Sequence, residues 1–269
     1  MSSPAIPGEC LLDLFAADGG VPAIFSSKVA DYLASRPGYP GALFDTLDSF
    51  CGLRPGALVA DVGAGTGLLS LGLLQRGWRV VGVEPSAEMR SAAEHLLGRE
   101  RAWRSVQGSA EAMPLDDASA DLVAAAQAFH WFDIDAARAE CLRVLKPHGQ
   151  VALIWNDRVQ GDALHAALDE VFAAFGGAKR AAMLAQAERA GVTRFFGAAT
   201  PQQWTWPLEH RLDAAALASL VFSRSYMPAR NSPEGQEARR LVQRLFESSA
   251  TDGGVAVRYR TVAIIGRPA

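Results

Sequence analysis

Short apolar runs alternate with amphipathic segments through the middle of the chain. The apolar runs, which predict buried strands, lie at 57–62, 79–83, 103–106, 122–126 and 150–155. Between them apolar residues recur every three or four positions, and this spacing predicts helices at 68–77, 86–97 and 134–145. Because continuous apolar strands that alternate with helices are typical of a parallel sheet covered on both faces, we expect a doubly wound α/β core.

Further helices are predicted before and after this core. Upstream, amphipathic segments at 25–36 and 42–51 are separated by a break at RPGYP, 36–40. Downstream we expect an Ala-rich helix at 161–190, a short strand between 204 and 212, and helix N-caps at Asp213 and Ser232. No internal repeat or linker is visible. We therefore predict one domain over 1–269, with N-terminal helices at 25–52, a core at 53–157, an elaboration at 158–254 and a last strand at 255–265.

Composition and charge narrow the possible functions. Apolar residues make up 49% and charged residues 20% of the 269 positions, as in an ordinary globular protein. The formal net charge of -3 lacks the basic excess that neutralises phosphates, so no nucleic-acid partner is expected. Cys10, Cys51 and Cys141 form no close pair, which argues against a disulfide framework and a Cys-rich zinc site. With no basic leader and no apolar run of bilayer length, we expect a cytoplasmic protein that does not bind membranes.

The glycine-rich loop DVGAGTG at 61–67 follows the first predicted strand, where open α/β sheets bind ligands. A dinucleotide site would place a third glycine at position 68, but Leu68 stands there. The spacing favours an adenosyl group that carries no phosphate. An acid at Asp61 would repel a pyrophosphate and attract an ammonium through water or a backbone amide. A purely structural turn is the alternative.

Two further segments follow the next strands at the same edge of the sheet. Glu84, before Pro85 at the tip of the second strand, can accept hydrogen bonds from both hydroxyls of a ribose, as in NAD or another adenosine. Its alternative role is that of a carboxylate that answers the dipole of the following helix. In the loop at 108–114, Ala110 could lie against an adenine face and Glu111 could bind the polar edge of the ring. A surface capping box formed by Ser109 and Glu111 is the competing interpretation.

With these pieces in place, the chain resembles the class I S-adenosylmethionine-dependent methyltransferases, most of all the small-molecule branch of trans-aconitate methyltransferase-like proteins. The matching segments are 61–67, 83–86, 108–111, 126–133, 143–149 and, upstream, Tyr32 with 36–40, with weaker likeness at 223–226 and in the last strand. The resemblance implies a Rossmann-like, doubly wound, seven-stranded sheet whose last strand is antiparallel. It also implies that the N-terminal helices and the elaboration after the core form a lid over a substrate pocket.

The resemblance also implies a set of cofactor contacts. The glycine loop would wrap the methionine and ribose parts, Glu84 would hold the ribose, the loop after the third strand would flank adenine, and Gln127 would sit beside the sulfonium. Tyr32 and Arg36 would contact the methionine carboxylate or the substrate. The expected cofactor-binding residues are Tyr32, Arg36, Asp61, Gly63, Ala64, Gly65, Gly67, Glu84, Pro85, Ser109, Ala110, Glu111, Gln127 and Ala128.

Candidate acceptor-side residues follow the fourth and fifth strands and lie in the elaboration. Aromatic rings at Phe129, Trp131 and Phe132 could form a wall for a cationic sulfonium, or serve only as packing. His130 is the candidate general base, with an orienting role as the alternative. Arg224 could pair with a substrate carboxylate or form a surface ion pair. The expected substrate-binding residues are Tyr39, Phe129, Trp131, Trp155, Arg224 and Tyr226, and no metal is expected.

Taken together, these features predict an enzyme that moves a methyl group from S-adenosylmethionine to a small molecule by in-line displacement, with S-adenosylhomocysteine as product. The acceptor could be a carboxylate, a hydroxyl, an amine or a ring carbon. Two alternatives from other classes stay open at this point: an NAD(P)-dependent oxidoreductase, and a protein that binds S-adenosylmethionine without turnover.

Overall fold

A computed structural model describes Lys28, Asp31, residues 34–185, Arg189 and residues 191–269. Tyr32, Cys10 and most of the helix predicted at 25–36 lie outside these residues. None of the described helices is long and apolar enough to cross a membrane.

Seven strands form one sheet in the order β3-β2-β1-β4-β5-β7-β6, and the last strand runs antiparallel. Strands β1 to β5 pair in parallel in that order of neighbours. The predicted doubly wound, seven-stranded sheet is therefore confirmed. The strands are β1 Leu58–Val62, β2 Arg79–Val83, β3 Trp103–Val106, β4 Ala120–Ala126, β5 Leu145–Arg158, β6 Gln202–Leu212 and β7 Val255–Gly266.

Helices connect these strands, and two of them begin at the predicted N-caps, Asp213 and Ser232. Side chains of Ser86, Asp213 and Ser232 each accept a hydrogen bond from a backbone N–H in the first turn, which satisfies one of the free donors there. The described helices are α1 Gly41–Cys51, α2 Leu68–Gln75, α3 Ala87–Leu97, α4 Ile134–Val144, α5 Ala163–Ala185, α6 Val192–Phe196, α7 Ala214–Phe222 and α8 Pro233–Ser249, with a 3-10 turn at Phe129–Trp131.

The predicted boundaries need three corrections. Residues 146–149, between the helix predicted to end at 145 and the strand predicted to begin at 150, lie inside β5. There the register shifts beside β4, and Lys146 Nζ donates to the Asp121 carboxylate at 2.8 Å. The helix expected at 161–190 is α5, which is interrupted at Gly177 by non-helical backbone with φ 53°. The short strand near 204–212 is the longer β6, which tolerates Pro207 because a strand at the edge of a sheet leaves backbone groups unpaired.

The chain divides into two compact units. Of the described residues, the larger unit takes those in Gly38–Asn156, Glu188–Trp206 and Thr261–Ala269, and the smaller those in Met1–Pro37, Asp157–Ala187 and Pro207–Arg260. In the larger unit, alternate strand residues enter two separate apolar clusters, Ala60 and Val81 in one, Val59 and Val80 in the other. Side chains on a strand point alternately to opposite faces, so both faces of the sheet are covered. The smaller unit has its own core around Phe172, with α5, α7, α8 and part of β7.

Candidate functional site

The glycine loop after β1 is held against the ends of two neighbouring strands. The backbone N–H groups of Gly63 and Ala64 both donate to the carbonyl of Val83, at 2.9 and 3.2 Å, which ties the loop to β2. A Cβ at Gly63 would lie 2.5 Å from the Cβ of Ala128, and φ there is +68°. Only glycine permits this backbone and this approach, so the loop and the segment after β4 are in direct contact.

Glu84 is fixed beside this loop by two backbone donors. Its Oε2 accepts a hydrogen bond from the N–H of Gly65 and its Oε1 from the N–H of Ser86, each at 2.9 Å. Burial raises the pKa of this carboxyl, while the two backbone bonds and the charge of Arg90 oppose the rise. A carboxylate has about four acceptor positions, so two remain for hydroxyl donors of a ligand. The arrangement holds the carboxylate in one orientation before any ligand arrives.

Open space lies beside Gly65, next to that carboxylate. A Cβ at Gly65, where φ is +55°, would meet no atom nearer than its own loop carbonyl, Gly63 O, at 4.0 Å. At Gly67, by contrast, a Cβ would lie 2.7 Å from Leu97 Cδ1. Gly67 therefore serves helix packing, whereas Gly65 presents bare backbone to an open face where a ligand can approach closely.

Asp61 lies in the interior at the end of β1 and is only 1% exposed. The Ser70 hydroxyl donates to its Oδ2 at 2.6 Å, which joins the strand to α2. Burial and, to a smaller extent, the neighbouring charge of Glu84 together raise the pKa of Asp61 to about 7, against the hydrogen bonds from Ser70. Its carboxylate thus anchors the base of the loop, and contact with a cofactor stays a prediction.

The loop after β3 packs against the tip of β2. A Cβ at Gly108 would come within 2.9 Å of Val83 Cγ1, and Ala110 is buried in the same apolar cluster as Val83. The carboxylate of Glu111 accepts a hydrogen bond from the N–H of Asp133, the N-cap of α4, at 2.9 Å. Glu111 therefore bonds to the start of α4, whereas the backbone of Ser109 pairs with that of Ala112.

A polar cluster links Gln127, which follows β4, with Asn156 of β5 and Thr261 of β7. Gln127 has a positive φ of 58°, an uncommon conformation for a residue with a side chain, and its Nε2 donates to the carbonyl of Asn156 at 3.4 Å. The Asn156 amide donates to Gly38 O at 3.2 Å and accepts from the buried Thr261 hydroxyl at 2.7 Å. Strained backbone of this kind concentrates at functional sites.

The aromatic residues predicted to form a wall beside the sulfonium belong largely to a packed cluster of rings. The Phe129 ring makes edge contacts with Phe132, Trp155 and Phe195, with centroids 5.8, 6.1 and 5.4 Å apart. Phe129 and Trp155 are 2% and 0% exposed, so both are packed inside the larger unit. The guanidinium of Arg189 lies 4.7 Å from the centre of the Trp155 ring. These contacts match the packing alternative, and a substrate contact by Phe129 or Trp155 stays a prediction.

His130 follows this cluster and stacks obliquely on Trp131, with ring centroids 4.7 Å apart. Its Nδ1 is buried and has no hydrogen-bond partner in the described part of the chain. Burial lowers the pKa of His130 to about 4, because a charged imidazole is poorly solvated there. The ring is neutral at pH 7 and, as a general base, would be weak.

This burial predicts a pH dependence of stability. We expect the free energy of unfolding to fall between pH 6.5 and pH 4 more steeply in the wild type than in His130→Gln. In this range the unfolded chain binds a proton at His130 that the folded chain does not, so acidification favours unfolding. His165 and His210, whose pKa is also lowered, contribute to both proteins and cancel. Urea unfolding at several pH values measures the difference, and equal slopes would contradict the burial of His130.

The other predicted residues divide between the units. Tyr39 is half-buried against an apolar cluster of the larger unit, and Pro85 is exposed at the end of β2 in that unit. Arg36, Arg224 and Tyr226 belong to the smaller unit, where Tyr226 packs on Phe172 with centroids 5.8 Å apart. The structure thus brings together the segments after β1 to β4 within the larger unit.

Asn156 is the residue of this region that sequence reasoning missed. Its side chain is not among the predicted site residues. The available signal was an amide directly after a continuous apolar strand, which places a polar group at the carboxyl edge of the sheet. Its partners Gly38 and Thr261 are more than a hundred positions away in either direction, and no local pattern reveals them.

Comparisons with known proteins give a consistent result. The methyltransferase domain family matches residues 60–153. An uncharacterized methyltransferase of Mycobacterium tuberculosis is 34% identical over 243 residues, which make up 89% of this chain and 93% of that protein. A malonyl-[acyl-carrier protein] O-methyltransferase of Methylococcus capsulatus is 42% identical over 108 residues, 36% of this chain and 37% of that protein. A solved structure, described as a candidate type II methyltransferase from Anaeromyxobacter dehalogenans, has the same fold, with a TM-score of 0.62, 24% identity and coverage of 86% and 97%.

Proposed function

Because the chain belongs to the class I S-adenosylmethionine-dependent methyltransferases, we propose that it transfers a methyl group from this cofactor to a small-molecule acceptor by in-line displacement. The observation that carries the proposal is the Glu84 carboxylate, held by Gly65 N–H and Ser86 N–H beside the open face of Gly65. A fixed carboxylate next to exposed glycine backbone suits a ribose and its neighbouring groups.

The residues after β1 to β4 fit the cofactor. In our proposal Gly63, Ala64 and Gly65 lie along its methionine and ribose parts, Glu84 accepts from the ribose hydroxyls, and the loop after β3 flanks the adenine. Gln127 and Ala128 would lie at the sulfonium end, because Ala128 is in contact distance of Gly63. The strained backbone of Gln127, tied to Asn156, would keep that end in one conformation.

When bound, S-adenosylmethionine supplies an activated methyl group, whose bond to sulfur breaks with the electron pair left on sulfur as the acceptor atom attacks. The protein's part is therefore to position the acceptor and to exclude water. In favourable cases, positioning the two reactants lowers the activation barrier by roughly 7–11 kcal/mol. The buried aromatic cluster around Phe129 begins directly after Ala128 and holds this segment in the packed interior of the larger unit.

His130 has an orienting role in this proposal. A ring with a pKa of about 4 is a poor proton acceptor at neutral pH. An acceptor that is already ionised needs no base, and carboxylic acids lose their proton near pH 4 in water. Methyl transfer to an ionised acceptor of this kind would not require His130 as a base. The relatives are methyltransferases, so we do not propose the oxidoreductase alternative.

A paired binding and turnover experiment tests this function. We expect calorimetry to detect binding of S-adenosylhomocysteine and no binding of NADH. With S-adenosylmethionine labelled in its methyl group, we expect label to enter at least one member of a panel of small carboxylic acids, phenols, amines and indoles. Binding of S-adenosylhomocysteine without transfer to any member would favour the non-catalytic alternative. Tight NADH binding without S-adenosylhomocysteine binding would overturn the proposal.

A further inference from the structure

The loop after β3 is joined to α4 by two side chains of that helix. The Glu140 carboxylate accepts a hydrogen bond from the N–H of Met113, with Oε1 2.7 Å from that nitrogen. The Arg143 guanidinium donates to two carbonyls of the loop, Met113 O at 3.0 Å and Leu115 O at 2.9 Å. Met113 is only 3% exposed, so these α4 side chains satisfy backbone groups that have little access to water.

Glu140 and Arg143 also bind each other, which fixes both side chains. Arg143 Nε lies 2.8 Å from Glu140 Oε2, and Arg143 Nη2 lies 2.7 Å from Glu140 Oε1. The hydrogen bonds from Arg143 lower the pKa of the Glu140 carboxyl against the effect of burial, so this group is ionised at neutral pH. Arg143 Nη1 also donates to the exposed carboxylate of Asp117, at 2.5 Å. A bidentate pair of this kind has a defined geometry, and its other bonds therefore hold the loop in a defined place.

The loop is also packed tightly, so that its parts move together. A Cβ at Gly108 would lie 2.7 Å from Pro114 Cδ and 2.9 Å from Val83 Cγ1, which brings the two ends of the loop together at the tip of β2. Ala110 and Met113 are both buried in the apolar cluster that contains Val83. A displacement of Met113 would therefore move Ala110 as well.

Bonds to α4, more than bonds within the loop, define where the loop lies. Inside it, the backbones of Ser109 and Ala112 exchange two long hydrogen bonds, of 3.2 and 3.3 Å. The bonds from Glu140 and Arg143 are shorter, and Glu111 adds one more to the start of the same helix. The position of the loop is thus set by one face of α4.

We propose that Glu140 and Arg143 are positioning residues for the cofactor, which hold the loop after β3 in the place where it receives the adenine ring. The inference rests on the proposed function, in which this loop flanks the adenine. Both residues act through the backbone of the loop rather than by contact with the cofactor. A loop that is ordered in advance removes an ordering cost from binding, so the pair contributes to cofactor affinity.

Calorimetry with S-adenosylhomocysteine on the full chain tests this role. We expect Glu140→Ala and Arg143→Gln each to weaken binding by roughly 10-fold, because the ligand must then order the loop. Glu140→Gln keeps an acceptor oxygen for the Met113 N–H, and Arg143→Lys keeps a charged donor but loses the fork. We expect these two conservative variants to recover part of the affinity.

Backbone hydrogen exchange on the same proteins separates positioning from a general loss of stability. Without ligand, amides of residues 109–117 should exchange faster in Glu140→Ala than in the wild type, while amides of β1 and β4 exchange equally in both. Saturation with S-adenosylhomocysteine should restore protection of the loop. A merely structural role would instead change exchange throughout the protein and leave the affinity of the folded variant unaltered.

Glu237→Ala is the matched control. Glu237 forms the same kind of pair with Arg240, three residues along α8, with Arg240 Nε 2.8 Å from its Oε2. We expect this variant to keep wild-type affinity and wild-type exchange in the loop. Faster loop exchange with unchanged affinity, weaker binding with unchanged loop exchange, or an equal loss in Glu237→Ala would overturn the positioning role. Failure of S-adenosylhomocysteine to bind the wild type would instead overturn the proposed function.

Discussion

Glu84→Gln is expected to weaken binding of S-adenosylhomocysteine by about 100-fold or more. The carboxylate accepts from Gly65 N–H and Ser86 N–H and, in our proposal, from two ribose hydroxyls. An amide presents one oxygen and one NH₂ group, so the NH₂ would face a backbone donor and at least one hydroxyl would lose its acceptor. Hydrogen bonds to charged groups contribute about 1.5–3 kcal/mol each, and the loss of one such bond near the top of this range, about 2.7 kcal/mol, corresponds to about 100-fold. Calorimetry measures the dissociation constant.

Glu94→Gln is the control for this substitution, because Glu94 is an exposed glutamate of α3 in the same unit. It makes the same chemical change away from the loop and should leave the affinity unchanged. Thermal unfolding of Glu84→Gln without ligand separates binding from folding, since the lost backbone bond also lowers stability by about 1–3 kcal/mol. Wild-type affinity in a folded Glu84→Gln protein would show that the carboxylate does not hold the cofactor.

Gly65→Ala should lower cofactor affinity at least about 10-fold with a modest loss of stability. A methyl group there would occupy the open face beside Glu84, where no protein atom lies nearer than 4.0 Å. The protein itself therefore accommodates the added atom, whereas a ligand that approaches the backbone closely does not. The positive φ of 55° adds a cost of about 1–2 kcal/mol to the folded state.

Gly56→Ala supplies the same backbone penalty in a turn away from the loop. Gly56 has a φ of 83° and no atom within 4 Å of a built Cβ. Both variants should melt at similarly reduced temperatures, and only Gly65→Ala should lose affinity for S-adenosylhomocysteine. An equal affinity in the two proteins would mean that no ligand lies against Gly65.

The agreement between sequence and structure is closest where a signal is local. The strand-to-helix order, the N-caps at Asp213 and Ser232, and the position of the glycine loop all follow from neighbouring residues. The agreement is weaker where a contact across the sheet decides the outcome. Lys146 is part of β5, where its side chain bonds to Asp121 on β4. Pro207 is tolerated in β6 because this strand lies at the edge of the sheet.

The predicted roles of two site residues, Asp61 and Phe129, also depend on contacts that the sequence does not show. The sequence indicated an acid and an aromatic segment near the cofactor but could not reveal their surroundings. Asp61 is bonded to Ser70 inside the fold, and Phe129 packs among other rings. Burial also determines the chemistry of His130, since the same ring in water would titrate near pH 6.5 and here has a pKa of about 4.

By itself, the sequence determined the doubly wound sheet and the position of its glycine loop, and it predicted an adenosyl ligand at that edge of the sheet. Apolar periodicity and glycine spacing act over a few residues and can be seen in the chain directly. Only the tertiary structure decided that Glu84 is held by two backbone donors, that Asn156 ties three segments together, and that two side chains of α4 hold the loop after β3. Such contacts form when remote parts of the chain pack, and their burial sets charge and hydrogen bonding in ways that neighbouring residues do not encode.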